Sequence, residues 1–168
     1  MSYSLTPPPL SPALIANLET GMPNICHRVG IKASATEVYN KLTTNEGLSE
    51  WWTTDTSGAD GVGSIIKFRF NGDGPDFEVT DLKPEKLVKW KHSGSMPDDW
   101  VGTEITFKLT HKKNQTYILF SHSGWKDQTD FMGHCSLKWA VFLMSLKDAI
   151  ETGTGNPFPT DIHIDHDE

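Results

Sequence analysis

Histidines and carboxylates are the side chains in this sequence that could move a proton, so their spacing sets the first question. His122 follows Ile118 and Phe120 at period two, and on a strand it shares their face. If that face lines a cavity, a lone imidazole among apolar groups could orient a ligand or act as acid and base, with His92 or Glu78 as partner. A histidine bonded to a backbone carbonyl beside Gly124 is the structural alternative. Trp125, Asp127, Asp130 and His134 gather where a strand passes into a helix. There Asp130 meets the positive end of the helix dipole, which accounts for it without catalysis. His134 flanks either a pocket mouth or solvent. His163 and His166 lie among Asp161, Asp165 and Asp167, but a mobile ligand set gives a metal poor geometry, so no metal and no cofactor is expected.

Nucleophilic and phosphate chemistry have less support. Cys26 and Cys135 are too few and too distant for a disulfide scaffold or a zinc site. Gly58 to Gly63 lacks the Gly-Lys-Ser/Thr ending of a phosphate loop, and no Gly-x-Ser-x-Gly elbow occurs. No residue stands where a nucleophile is required, so a binding protein is expected ahead of an enzyme.

The 168 residues suit one domain with a real core. Asp and Glu (22) exceed Lys and Arg (15), giving a net charge of −7, which argues against a nucleic-acid partner. The longest apolar run, Trp139 to Met144, is far short of a membrane span, and the N-terminus lacks the basic and apolar regions of a secretory signal. A cytoplasmic protein with no membrane insertion is expected. Six Trp and eight Phe supply either a bulky core or an apolar pocket.

The elements that must hold these residues follow from periodicity. Residues 1–23 read as a Pro-rich extension, with Pro7-Pro8-Pro9, then Ser11-Pro12 opening a short helix that aligns Leu14, Ile15 and Leu18 before Gly21. The body, 24–159, begins with a strand over 25–32. Ser34 and Glu37 form a capping box for a helix through Val38, Tyr39 and Leu42. A second short helix is expected between Thr44 and Trp52. Strands follow over 64–70, 77–82, 86–92, 103–110 and 115–123, with turns at Asn71-Gly72-Asp73-Gly74, Lys83-Pro84-Glu85 and Lys113-Asn114. Parity puts Phe68 and Phe70 on one face and Arg69 on the other, towards solvent; Trp90, His92 and Val88 share a face. Met96 to Trp100 reads as a loop in which Trp100 could be a lid. Phe131, Cys135, Trp139, Phe142, Leu143, Leu146 and Ile150 make the stripe of one long helix between Thr129 and Thr152. Residues 160–168 read as a mobile acidic tail.

This order, with several local signatures, resembles the Hsp90-ATPase-activator-homologue branch of the START-like (SRPBCC, polyketide-cyclase-like) superfamily. The signatures are Ile31-Lys-Ala-Ser-Ala-Thr-Glu-Val-Tyr39, Leu48-Ser-Glu-Trp-Trp52, Gly61-Val-Gly63, Ser121-His-Ser-Gly-Trp125, and Glu151-Thr-Gly-Thr-Gly-Asn-Pro157. Together they span roughly residues 25–159. The resemblance implies an α+β helix-grip fold, in which a curved antiparallel sheet wraps a long C-terminal helix, with two short helices and a cavity between sheet and helix. Proteins of the superfamily often hold lipids, polyketides or other hydrophobic molecules there, and a minority are cyclases or dehydratases. Large rings on both surfaces either fill or line such a gap. The candidate ligand-binding residues are therefore Phe68, Phe70, Phe77, Trp90, Phe107, Phe120 and His122 from the sheet, Phe131, Trp139 and Phe142 from the helix, and Trp51, Trp52, Trp100 and Trp125 around them. Trp51 and Trp52 point in different directions, so one could wall the cavity while the other plugs the core. The family name also implies a chaperone partner, although the eukaryotic activators carry a further N-terminal domain with no counterpart in these residues. A homodimer contact is a further expectation, and the N-terminal arm is the visible candidate for a partner surface.

Overall fold

The computed structural model describes residues 8–12, 15 and 21–168. The elements are β1 (Asn24–Ile31), α1 (Ala35–Thr43), α2 (Asn45–Ser49), β2 (Asp55–Ser57), β3 (Ile65–Arg69), β4 (Asp76–Lys83), β5 (Leu87–Ser93), β6 (Glu104–Lys112), β7 (Gln115–Ser123) and α3 (Asp130–Glu151). All seven strands join one antiparallel sheet in the order β1-β7-β6-β5-β4-β3-β2. Strand β2 has no apolar alternation and was not expected from the sequence; it pairs with β3 through Thr56 and Phe68. The sheet curls about α3 with two short helices beside it, which is the helix-grip architecture.

Local chemistry explains most boundaries. The capping box forms, with Ser34 N donating to Glu37 Oε2 at 2.9 Å and Glu37 N donating to Ser34 Oγ at 3.2 Å. Thr44 caps α2 by accepting from Gly47 N. Gly47 has to be glycine for packing reasons, because a Cβ there would lie 2.7 Å from Asn40 O and Lys41 Cα of α1. Thr129, rather than Asp130, is the N-cap of α3, and Gly153 ends that helix with φ +85°. At the β3–β4 hairpin Asn71 and Gly72 both take positive φ, the backbone of a two-residue turn. A bulge between Val79 and Asp81 resets parity, so Leu82 packs against the core after Phe77 and Val79.

The inner face of the sheet presents Ile66, Phe68, Phe77, Val79, Val88, Trp90, Ile105, Phe107, Ile118 and Phe120 to the helix stripe Cys135, Trp139, Phe142, Leu143 and Leu146. The free edge of β1 is stitched to α3. His27 Nε2 donates to Ser136 O, Lys147 Nζ to Gly30 O, and Lys32 N to Glu151 Oε1. The last two engage backbone groups at that edge, a carbonyl and an N–H that would otherwise invite another strand. Among the described residues, no helix is long and apolar enough to cross a membrane. Of the expected N-terminal helix, Ile15 N donates to Ser11 O, while Leu14 and Leu18 lie outside the described residues.

Candidate functional site

A cavity of about 780 Å³ opens where one end of the sheet meets the N-terminal half of α3. Three segments build it: the β3–β4 hairpin from Arg69 to Pro75, the loop carrying Met96, Pro97 and Trp100, and α3 from Phe131 to Phe142, with Trp52 between them. Of the fourteen residues expected to bind ligand, the structure brings Trp52, Phe70, Trp100, Phe131, Trp139 and Phe142 together on this wall. Phe131 stands at the rim, 37% exposed, while Trp100, only 8% exposed, is an inner wall and not a lid. Met96, 67% exposed, takes the outer position.

The structure places the other eight residues away from the wall. Phe68, Phe77, Trp90, Phe107 and Phe120 are fully buried and fill the gap further along the sheet. Trp51 is a plug: its indole donates to Lys41 O at 3.0 Å, joining α2 to α1. Trp125 lies behind Phe131, ring centroids 6.3 Å apart. Through Trp52 the core and the cavity wall are continuous, for its ring sits 4.1 Å from Phe68 and 4.8 Å from Trp139 between centroids. Rings packed at such tilts, 41° and 45°, hold the wall in place.

His122, the eighth, lies one layer behind the wall. Trp139 Nε1–H donates to His122 Nδ1 at 3.1 Å, and His122 Nε2 lies 2.9 Å from Thr103 Oγ1. Thr103 donates its single proton to Trp100 O at 2.6 Å, so it must accept from His122. The chain of donors therefore fixes one tautomer, the neutral imidazole with its proton on Nε2. Burial pushes the His122 pKa down to about 3, and His92 nearby adds to the effect. With both nitrogens engaged, His122 positions Trp139 and Trp100 instead of exchanging protons with a ligand. His92 donates through Nε2 to Met96 O, and Glu78 is exposed on a strand position opposite the core-facing Phe77 and Val79. The acid–base set offered by the sequence does not converge on the cavity.

Of the cavity's polar groups, His134 stands where one of its two expected positions put it, Lys138 carried no expectation, and Arg69 is a correction. Arg69 was expected in solvent, but β3 ends there and the chain turns back at Asn71-Gly72. The guanidinium crosses that turn, donating to Phe68 O and Gly74 O and pairing with Asp76 at 2.8 Å, and it lines the cavity. His134 and Lys138, one turn apart on α3, also line it. Lys138 had a visible signal, a charge set seven residues after Phe131 and four before Phe142 in an otherwise apolar stripe. Cys135 completes this part of the wall; burial pushes its thiol up to about 12, so it is held as a neutral thiol.

The expected mobile tail is instead folded back on α3. Phe158 N donates to Trp52 O and Phe158 O accepts from Thr54 N, while the Phe158 ring packs on Phe70. Asp161, Asp165 and Glu168 then reach the helix: Lys138 Nζ lies 2.6 Å from Asp161 Oδ2 and 2.9 Å from Glu168 Oε1, and His134 Nδ1 lies 2.6 Å from Asp165 Oδ2. These hydrogen bonds raise the Lys138 pKa despite its partial burial. A second cavity, of about 330 Å³, lies between the tail and the shared residues Phe70, Lys138 and Phe142. Among the described residues, no group of three His, Cys, Asp or Glu side chains could hold a metal ion.

Comparison with known proteins agrees with this architecture. Residues 32–151 match the family described as Activator of Hsp90 ATPase homolog 1-like protein. The chain belongs to that family. It is 61% identical to a protein whose solution structure is described as the Aha1 dimer from Colwellia psychrerythraea, covering 80% of this chain and all of that one, with a TM-score of 0.75. Protein MLL2253 from Mesorhizobium loti is 21% identical over 77% of this chain and 98% of its own, at a TM-score of 0.69. CalU16 from Micromonospora echinospora is 15% identical over 77% of this chain and 75% of its own, at 0.65. The last two share the fold. A search of curated proteins returns no significant match.

Proposed function

We propose that this family member binds a hydrophobic small molecule, of lipid, polyketide or aromatic-metabolite type, in the cavity between sheet and helix. The observation that carries this reading is the cavity of about 780 Å³ walled by six aromatic rings. Its size is within the usual range for small-molecule sites of roughly 300–1,000 Å³, and its apolar lining with a few polar groups is their usual composition. A ring wall held from behind by stacked neighbours and by the His122 chain is pre-formed, which lowers the cost of binding. For the cyclase or dehydratase alternative, the residues that the sequence offered, His122, His92 and Glu78, do not line the wall.

The test is native mass spectrometry of the purified protein with organic extraction of released material, repeated on Phe131→Ala. Phe131 is the right probe because it stands at the rim; Trp139 holds His122 and Phe107 is core, so changes there confound binding with folding. A defined hydrophobic adduct that weakens in the variant supports the reading. A clean apo mass, with no response to fatty acids or polycyclic aromatics, counts against it.

A second reading, self-association, is favoured by one surface feature. Leu137 and Met144, 54% and 51% exposed, lie seven residues apart on the outward side of α3. The Colwellia relative is described as a dimer. Sedimentation velocity on wild type and Leu137→Glu tests it: a dimer lost in the variant supports the reading, and a monomer at all concentrations refutes it. A chaperone partner, which the family's description suggests, would be sought by the same method.

A further inference from the structure

The cavity wall carries two cations, one imidazole and one carboxylate. Arg69, His134 and Lys138 line it against a single acid, Asp73, in a chain whose net charge is −7. The carboxylates that bind these groups are Asp76 for Arg69 and Asp161, Asp165 and Glu168 for the other two, and none of these four lines the cavity. Lys138 spends its three donors on Asp161, Glu168 and Ile162 O. Carboxylates of the chain's own tail therefore already engage Lys138 from the second cavity, which Asp161 and Glu168 line and which shares Lys138, Phe70 and Phe142 with the first.

Resting on the binding reading above, we propose that the ligand is an amphipathic anion, an apolar body ending in a carboxylate. Its carboxylate takes the place of Glu168 and Asp165 at Lys138 and His134, so the C-terminal segment is an intramolecular competitor for the site. Exchanging one carboxylate for another keeps Lys138 paired, whereas a neutral head group would forfeit a charge-assisted bond and a cationic one would meet Lys138 directly. His134 and Lys138 stand at positions i and i+4 of α3, which puts both on one side of the helix and within reach of a single head group.

The experiment is calorimetric titration of the full chain at low salt with two matched trios, decanoate, decanamide and decylammonium, and 1-naphthylacetate with its amide and amine counterparts. In at least one trio the anion is expected to bind about tenfold or more tighter than the amide, the ratio that one charge-assisted hydrogen bond supplies. The double variant Lys138→Met with Asp161→Asn, which leaves no buried carboxylate alone, should abolish that preference while keeping amide binding. His134→Gln should reduce it. Glu168→Gln should tighten the anion several-fold and leave the amide unchanged. An amide or amine that binds as tightly as the anion overturns the proposal and leaves the binding reading intact; no binding by either trio overturns both. Weaker anion binding in Glu168→Gln makes the tail a scaffold and overturns the competition.

Discussion

Acidification from neutral pH should loosen this protein through His122, and the size of the effect can be worked out. In the fold His122 is fully buried and its pKa is lowered from 6.5 to about 3. Between those values the unfolded chain binds a proton that the folded chain refuses. Stability therefore rises with pH across this window and is lost as pH falls below about 6.5, at about 1.4 kcal/mol per pH unit. Glu37, Glu151 and Glu168 have lowered pKa values too, but their stabilisation is lost only below their ordinary value of 4.5. Of the groups with shifted values, His122 alone acts between pH 6.5 and 4.5, where its contribution is about 3 kcal/mol. Urea unfolding of wild type and His122→Gln at pH 7.5, 6.5, 5.5 and 4.5 reads this directly. Glutamine supplies a donor and an acceptor but does not titrate, so the variant's curve of stability against pH should be flatter by about 1.4 kcal/mol per unit. Parallel curves, or an NMR titration in which His122 protonates near 6, would refute the reasoning.

Other outcomes follow from the packing. Gly47→Ala should lower the melting temperature, although alanine in a helix ordinarily gains about 1 kcal/mol over glycine, because its Cβ would meet the backbone of α1; a rise in Tm would show that α1 yields. Thr103→Val strands the Nε2 proton of His122 in a buried site and should cost about 1–3 kcal/mol in chemical denaturation, and a neutral result would mean another acceptor takes its place. Thiol titration with an aromatic disulfide should show one accessible cysteine, Cys26, and a second, Cys135, that reacts only on unfolding; two equivalents reacting together would contradict the burial of Cys135.

What was legible in the sequence was mostly local. The capping box, the paired strands and the α3 stripe each depend on residues a few positions apart, and periodicity reports them faithfully. The three residues of β2 carry no apolar alternation, so they gave no signal. The cavity was harder for a different reason. Phe70 lines it while Phe68, Phe107 and Phe120 fill the core, yet alternation treats all four alike as inward-facing strand residues. What separates them is their distance from one end of the sheet, and face alternation carries no such information. Arg69 misled because parity holds only while a strand continues. The tail read as mobile from its composition, since its partner Lys138 lies 23 positions upstream and nothing local announces it.

The indole cluster also makes the protein its own optical instrument. Trp52 lies within 6.3 Å, centroid to centroid, of Trp51, Trp90 and Trp139, and Trp139 lies at the same distance from Trp100. At such separations excitation migrates freely from ring to ring, so light absorbed by the buried Trp51 and Trp90 is shared with the three rings that face the cavity. A quencher seated there would dim five tryptophans at once rather than three. The parallel Trp52 and Trp90 planes, 1° apart, fix one coupling geometry in the core, while the 45° tilt of Trp52 against Trp139 sets another at the wall. A change in circular dichroism confined to the second would report movement of the wall without a label.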